Sequence, residues 1–184
     1  LPSQVLENWV YQPEVFNELA RHYQTGAAVP AEWLPKIPLI RGMNPAMKTL
    51  ARRGIMTELD SAWHSITTPI TTSTEDFDKE ATKDWASFDY LLAIAGSSTL
   101  HPYAFMHGYE SKFHGYQWCE TLDYDAFELF RKNGIFNSET GQRFMNLLLS
   151  PGAMINYREA YRNFRGQDPD PLAIVRKFKD AQRR

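Results

Sequence analysis

The chain has 184 residues, 43% of them hydrophobic and 14% aromatic, with a formal net charge of -2. That is enough apolar material for one substantial core, and the near-neutral charge leaves no electrostatic footprint for nucleic acid or an anionic membrane. The single cysteine, Cys119, excludes an intramolecular disulfide and a cysteine-rich metal site and fits a reducing compartment, and no apolar run reaches the roughly 18 residues of a membrane-spanning helix.

The first residue, Leu1, is followed by Pro2 and Ser3, which open a helix through about Tyr11. With no initiator methionine and no charged-then-apolar leader, the start reads either as a processed terminus or as the edge of a fragment or subunit whose upstream part is elsewhere. Pro13 opens a second helix, whose apolar positions Val15, Phe16, Leu19 and Ala20 recur at helical spacing until Gly26. Prolines at 30, 35, 38 and 45 break any long helix there. A helix from Pro45 to His64 follows, with Leu50, Ile55, Leu59 and Trp63 as its apolar stripe and Gly54 as a weak point. The threonine-rich tract 67–74 reads as a loop with room for a short strand. Thr74 is then expected to cap a helix running unbroken to about Ala95, where Gly96-Ser97-Ser98 ends it. Further helices are expected from Phe113 to Asn133 with Gly134 as the stop, from Asn137 to Leu149, from Asn156 to Phe164, and from the Asp168-Pro169-Asp170-Pro171 run to the basic C-terminus. The expected fold is mostly α, in a single domain, with at most a short strand or two.

The tract from Gly108 to Trp118 concentrates the chemistry. Gly108 and Gly115 can let a backbone approach a ligand closely or take up positive φ, and Tyr109 and Tyr116 each bring a phenolic donor. Such a wall binds or polarises a carbonyl but generates no nucleophile. The histidines His101, His107 and His114 have irregular spacing and no carboxylate to complete a metal pattern, so they read as loop or core residues, with no metal assigned to the chain. His22 and His64 fall toward helix C-termini, where an imidazolium suits the helix dipole. Cys119 reads as a small core residue and Glu110 and Lys112 as a solvated edge.

Three blocks carry a resemblance: Leu1-Pro2-Ser3-Gln4 with Leu6-Glu7-Asn8-Trp9, His22-Tyr23-Gln24-Thr25-Gly26, and Gly108-Tyr109 with Gly115-Tyr116-x-Trp118-x-Glu120. Together they resemble the C-terminal part of the zinc metallopeptidases of the thimet oligopeptidase family, which includes neurolysin, oligopeptidase A and peptidyl-dipeptidase. The similarity continues through Asp123-Tyr124-Asp125-Ala126-Phe127, Gly134-Ile135-Phe136-Asn137, Thr140-Gly141 and Phe164 to Pro169, and is loose only from about Lys36 to Pro102, where Asp60-Ser61-Ala62-Trp63-His64 still fits.

The resemblance implies the C-terminal helical lobe of a zincin-type oligopeptidase. In the family an H-E-x-x-H helix supplies two zinc-binding histidines and the glutamate that activates water, and the third ligand is a glutamate just before the block that begins here at Leu1. None of these is in this chain, so zinc would come only with an upstream segment or a partner chain. Gln4 and Glu7 would share a helix face with that absent glutamate, within reach of the groups around a zinc, although a plain solvated or structural face is the competing reading. By the same resemblance Tyr109 and Tyr116 belong to the substrate wall, with Gly108, Gly115 and His107 beside the peptide. The sequence departs from the family at Phe113, in place of a tyrosine, and at Ala104, in place of a histidine that His101 or His107 could replace with small gaps. A lost oxyanion donor costs ~2.7–4 kcal/mol in barrier.

Two functions follow. One is the substrate-binding portion of a zinc peptidase for short peptides, inactive alone; the other is an inactive, peptidase-like structural subunit of a larger assembly. An intracellular location, cytoplasmic or in the mitochondrial matrix, is expected for either.

Overall fold

The computed structural model describes residues 1–36, 46–100 and 108–182. Nine α-helices lie among the described residues: α1 Pro2–Val10, α2 Pro13–Leu19, α3 Ala46–His64, α4 Thr74–Ala81, α5 Asp89–Ala95, α6 Gly115–Asn133, α7 Ser138–Phe144, α8 Tyr157–Arg165 and α9 Ala173–Gln182. Short 3₁₀ turns and one π-helical turn, Met145–Leu149, join or extend them. The protein is mostly α. Among the described residues no strand forms; an isolated antiparallel bridge pairs Arg21 with Ala28.

Two compact units emerge, Leu1–Met43 with Cys119–Arg184, and Asn44–Trp118. The first is built on aromatic packing. Val5, Ala126, Phe127, Phe130, Phe144, Leu148, Ala160, Tyr161 and Phe164 form its core, with Trp9 and Ile135 against them. The Trp9 ring meets Phe127 and Phe130 edge-on, both at 4.6 Å, and its indole N–H donates to the Ile135 carbonyl at 3.0 Å, so a large apolar body is buried with its polar tip satisfied. Caps delimit the surrounding helices. Asn137 and Asn156 accept first-turn backbone N–H groups of α7 and α8, and Gly166, at φ +78°, closes α8 in the left-handed conformation.

The second unit packs α3, α4 and α5. Ala51, Ile55 and Leu59 recur every four residues on one face of α3 and, with Met56, Leu91 and Phe113, form its core. Beside it Asp78, 2% exposed, accepts the Trp63 indole N–H at 2.7 Å and both the backbone N–H and the hydroxyl of Ser98, so its buried charge is fully bonded.

Several expected boundaries moved. The second helix ends at Leu19, not near Gly26, because residues 21–28 fold into a tight turn: the His22 N–H donates to the Ala27 carbonyl, the His22 Nδ1 accepts from Gln24 and Thr25, and Gly26 takes φ +68°. His22 is therefore a turn residue and caps no helix C-terminus. The expected helix 74–95 is capped by Ser73, whose hydroxyl accepts the Asp76 N–H, and is broken after Ala81. At Thr82 the side chain donates back to the Asp78 carbonyl, and a 3₁₀ stretch, Lys83–Phe88, carries Trp85 onto α3 before α5 begins. α6 starts at Gly115, two residues later than expected, and the helix expected through Leu149 turns π-helical after Phe144.

Candidate functional site

The tyrosine tract lies against α3 in the second unit. Gly108, at φ +88°, starts a series of tight turns in which the Lys112 N–H donates to the Tyr109 carbonyl, the Gly115 N–H to the Lys112 carbonyl and the Tyr116 N–H to the Phe113 carbonyl. Ser111 also sits at positive φ, +57°, a conformation side chains with a Cβ seldom adopt. Gly115 has no such requirement: it opens α6 in ordinary helical geometry, and a Cβ built there would meet nothing within 4 Å.

A buried carboxylate bonds the main chain of this turn. Asp60, on α3 and 2% exposed, accepts the Ser111 N–H at 2.8 Å on one oxygen and the Phe113 N–H at 2.9 Å on the other. His64, the last residue of α3, places Nδ1 at 3.0 Å from the Asp60 carboxylate and 2.7 Å from its carbonyl; both neighbours are acceptors, which puts the ring proton on Nδ1. The Lys112 ammonium donates to the Gly108 carbonyl at 3.0 Å, closing the tract on its outer side.

This scaffold brings Tyr109 and Tyr116 together. Their rings lie parallel, 6.4 Å between centroids and 6° between planes, with Tyr109 45% exposed and Tyr116 half-buried on the core. Glu110 stands between them in sequence, its carboxyl held below the usual carboxylate range by the backbone N–H groups of Glu110 and Gly108, with Lys112 and His64 adding to the effect.

Phe113 belongs to the core of this unit. It is 4% exposed, packed among Ala51, Ile55, Met56, Leu59 and Leu91, with its ring 5.1 Å from that of Tyr116. Its side chain plugs the core. Ala104, His101 and His107 lie outside the described residues. His114 is exposed, and Cys119 is half-buried.

Similarity to known proteins extends well beyond the tyrosine tract. Residues 1–180 match the sequence profile of peptidase family M3. The chain belongs to peptidase family M3. It is 32% identical over 184 residues to oligopeptidase A of Escherichia coli K12, covering 97% of this chain and 26% of that protein. It is 29% identical over 187 residues to the dipeptidyl carboxypeptidase of the same organism, and 29% identical over 183 residues to the organellar oligopeptidase A, chloroplastic/mitochondrial, of Arabidopsis thaliana. These alignments cover 95% and 96% of this chain and 26% and 23% of the relatives, so the M3 chain spans about a quarter of the length of the curated relatives it matches.

Within this M3 chain the first unit carries the other predicted site residues. On α1, Val5 and Asn8 are buried while Gln4 is half-buried and Glu7 exposed. The Gln4 carbonyl accepts from Asn8, whose side chain also donates to Asp123 at 3.0 Å, so α1 is clamped from its inner face. Among the described residues no three His, Cys, Asp or Glu side chains converge as a metal site. Among the same residues no helix is long and apolar enough to cross a membrane.

Sequence reasoning gave Asp60 no role. It lies in the Asp60-Ser61-Ala62-Trp63-His64 block, but its partners are backbone amides more than fifty positions away, at 111 and 113, and backbone partners leave no mark on residue type. The available signal was a carboxylate four residues before a histidine at the end of an expected helix.

Proposed function

We propose that residues 1–184 form the peptide-binding C-terminal portion of an M3 peptidase that cleaves short peptides, with the zinc ligands and general base carried by sequence outside this chain. The reading rests on one observation above all, the Tyr109–Tyr116 pair, presented by a loop tied to α3 and by the first turn of α6. Phenolic hydroxyls on such a wall donate to a peptide carbonyl and stabilise the negative charge that grows on its oxygen during attack. Gly108 lets a peptide backbone pass close, since no side chain rises there. Gln4 and Glu7, one turn apart on α1, are assigned to orienting groups around the zinc. His107 is retained as a peptide-contacting residue by resemblance.

The chain contains no H-E-x-x-H sequence, which supports its inactivity when isolated. We place the protein inside the cell, in the cytoplasm or the mitochondrial matrix. One relative is named as probable cytosolic and another as chloroplastic/mitochondrial, and the single cysteine suits a reducing compartment. The second reading, an inactive structural subunit of a larger assembly, draws its support from two departures from the family pattern, the missing hydroxyl at Phe113 and the missing imidazole at Ala104.

The test is intact mass and metal analysis of the native preparation, followed by cleavage of a short quenched peptide with and without chelator. Zinc with chelator-sensitive cleavage is expected, and Y116F is expected to lower kcat by about 10²–10³-fold if its hydroxyl serves the oxyanion. No zinc, no cleavage and stable residence in a large complex would overturn the peptidase reading in favour of the structural subunit.

A further inference from the structure

We propose that Asp60 is the positioning residue of the tyrosine wall: its carboxylate sets the conformation of residues 111–113 and thereby the placement of Tyr109 and Tyr116. The proposal rests on the reading that these two tyrosines contact the peptide.

A buried carboxylate must find hydrogen-bond donors, and its choice of donors reveals its purpose. Asp60 spends both oxygens on the main chain of one loop, at 2.8 and 2.9 Å. The amides it takes, those of Ser111 and Phe113, lie on either side of Lys112, so the pair of bonds fixes two peptide planes rather than one point. Ser111 is thereby held at positive φ without glycine. The Phe113 ring, inserted in the core, anchors the same three-residue segment from its other side. Tyr109 precedes the segment and Tyr116 follows it. Their parallel stack at 6.4 Å is thus spanned by a segment whose conformation Asp60 determines through the main chain. His64, with Nδ1 against the carboxylate, limits its rotation, and Lys112 closes the outer turn on Gly108. A carboxylate needed only to stabilise α3 would have been served by a cap or by solvent. This one is buried one turn before the end of α3, and it is the loop that supplies its amide donors.

The test uses D60N in the native, peptide-cleaving preparation. Asparagine keeps the shape and one acceptor but turns an NH₂ group toward the second amide. Hydrogen exchange at the Ser111 and Phe113 amides is expected to speed up about tenfold or more, while α3 amides keep their protection. The kcat/KM for a short peptide is expected to fall about tenfold, mostly in kcat, and Y116F added to D60N is expected to cost less than Y116F alone. H64A leaves the carboxylate but frees its rotation; it should shift the same two amides by a smaller factor, and it decides the matter if D60N does not fold. Unchanged exchange at both amides overturns the proposal, as does protection lost equally along α3, or faster loop exchange with unchanged kcat/KM. If the wild type cleaves no peptide, the peptidase reading fails on its own, and exchange at the two amides alone decides whether Asp60 holds the loop.

Discussion

Gly54 stands in the middle of α3, where glycine costs a helix about 1 kcal/mol relative to alanine. The cost is incurred for packing. A Cβ at that position would lie 2.6 Å from two atoms of the Trp85 ring. That ring is not free to swing, because its indole N–H donates to Glu58 at 2.7 Å and its body packs on the core. G54A therefore gains helix propensity and loses more by overpacking, which typically costs about 1–3 kcal/mol. A lower urea midpoint, with a change in tryptophan fluorescence, is expected; an unchanged or higher midpoint would mean that Trp85 relocates freely. Phe113 makes the same point from the other side. A residue that reads as a departure from the family pattern is, in three dimensions, also a ring buried in the core. Residue identity was legible in both cases, and the neighbour that gives it meaning was not.

Among the elements, α9 shows how a helix start can be tuned by charge. The Asp170 carboxylate accepts the Leu172 N–H at 2.9 Å and the Arg176 guanidinium at 2.6 Å, and these bonds, the backbone one foremost, hold its carboxyl below the usual carboxylate range. A carboxylate whose pKa is depressed on folding contributes stability that is complete above its unfolded value and is lost as the pH falls through the folded one. Its contribution should therefore be constant above about pH 5 and decline below about pH 4, the unfolded carboxylate being near 3.9. Denaturation midpoints of wild type and D170N should differ at neutral pH and draw together as the pH falls; a gap that stays the same through the acid range would assign the effect to packing rather than ionisation. The Asp168-Pro169-Asp170-Pro171 run was readable as helix punctuation, and its Asp170 serves the start of α9. Other boundaries were hidden because their causes are tertiary. The 74–95 segment has helical periodicity throughout, yet it breaks at Thr82 so that Trp85 can reach α3. The helix expected to run to Gly26 ends at Leu19 once residues 21–28 close their own turn.

On the scale of the molecule, the first unit is joined by charges that sequence leaves far apart. Lys177, 3% exposed, places its ammonium 3.1 Å from Glu120 and 3.1 Å from Asp123, and Asp123 also accepts from Asn8. Three helices, α1, α6 and α9, meet at this one cluster. Arg165 and Tyr161 converge likewise on the fully buried Asp125. Removing one charge from such a group leaves the opposite charges less compensated: K177M takes the ammonium away from two buried carboxylates and is expected to cost about 3–5 kcal/mol. Hydrogen exchange should show α1, α6 and α9 losing protection together. A loss confined to α9 would mean that the helices are held by apolar packing alone.

Helical class, most helix starts, the solvent-compatible composition and the family were all set by local sequence, because capping residues, prolines and apolar spacing act within a turn or two. The family emerged from short ordered blocks such as Leu1 to Trp9 and Gly108 to Trp118 for the same reason. Only the tertiary structure decided that Phe113 faces the core, that Gly54 makes room for Trp85, and that Asp60 holds the tract carrying Tyr109 and Tyr116. Each of those is a contact between residues distant in the chain, and in the last the partners are main-chain amides, which every sequence offers alike until folding places two of them before one buried carboxylate.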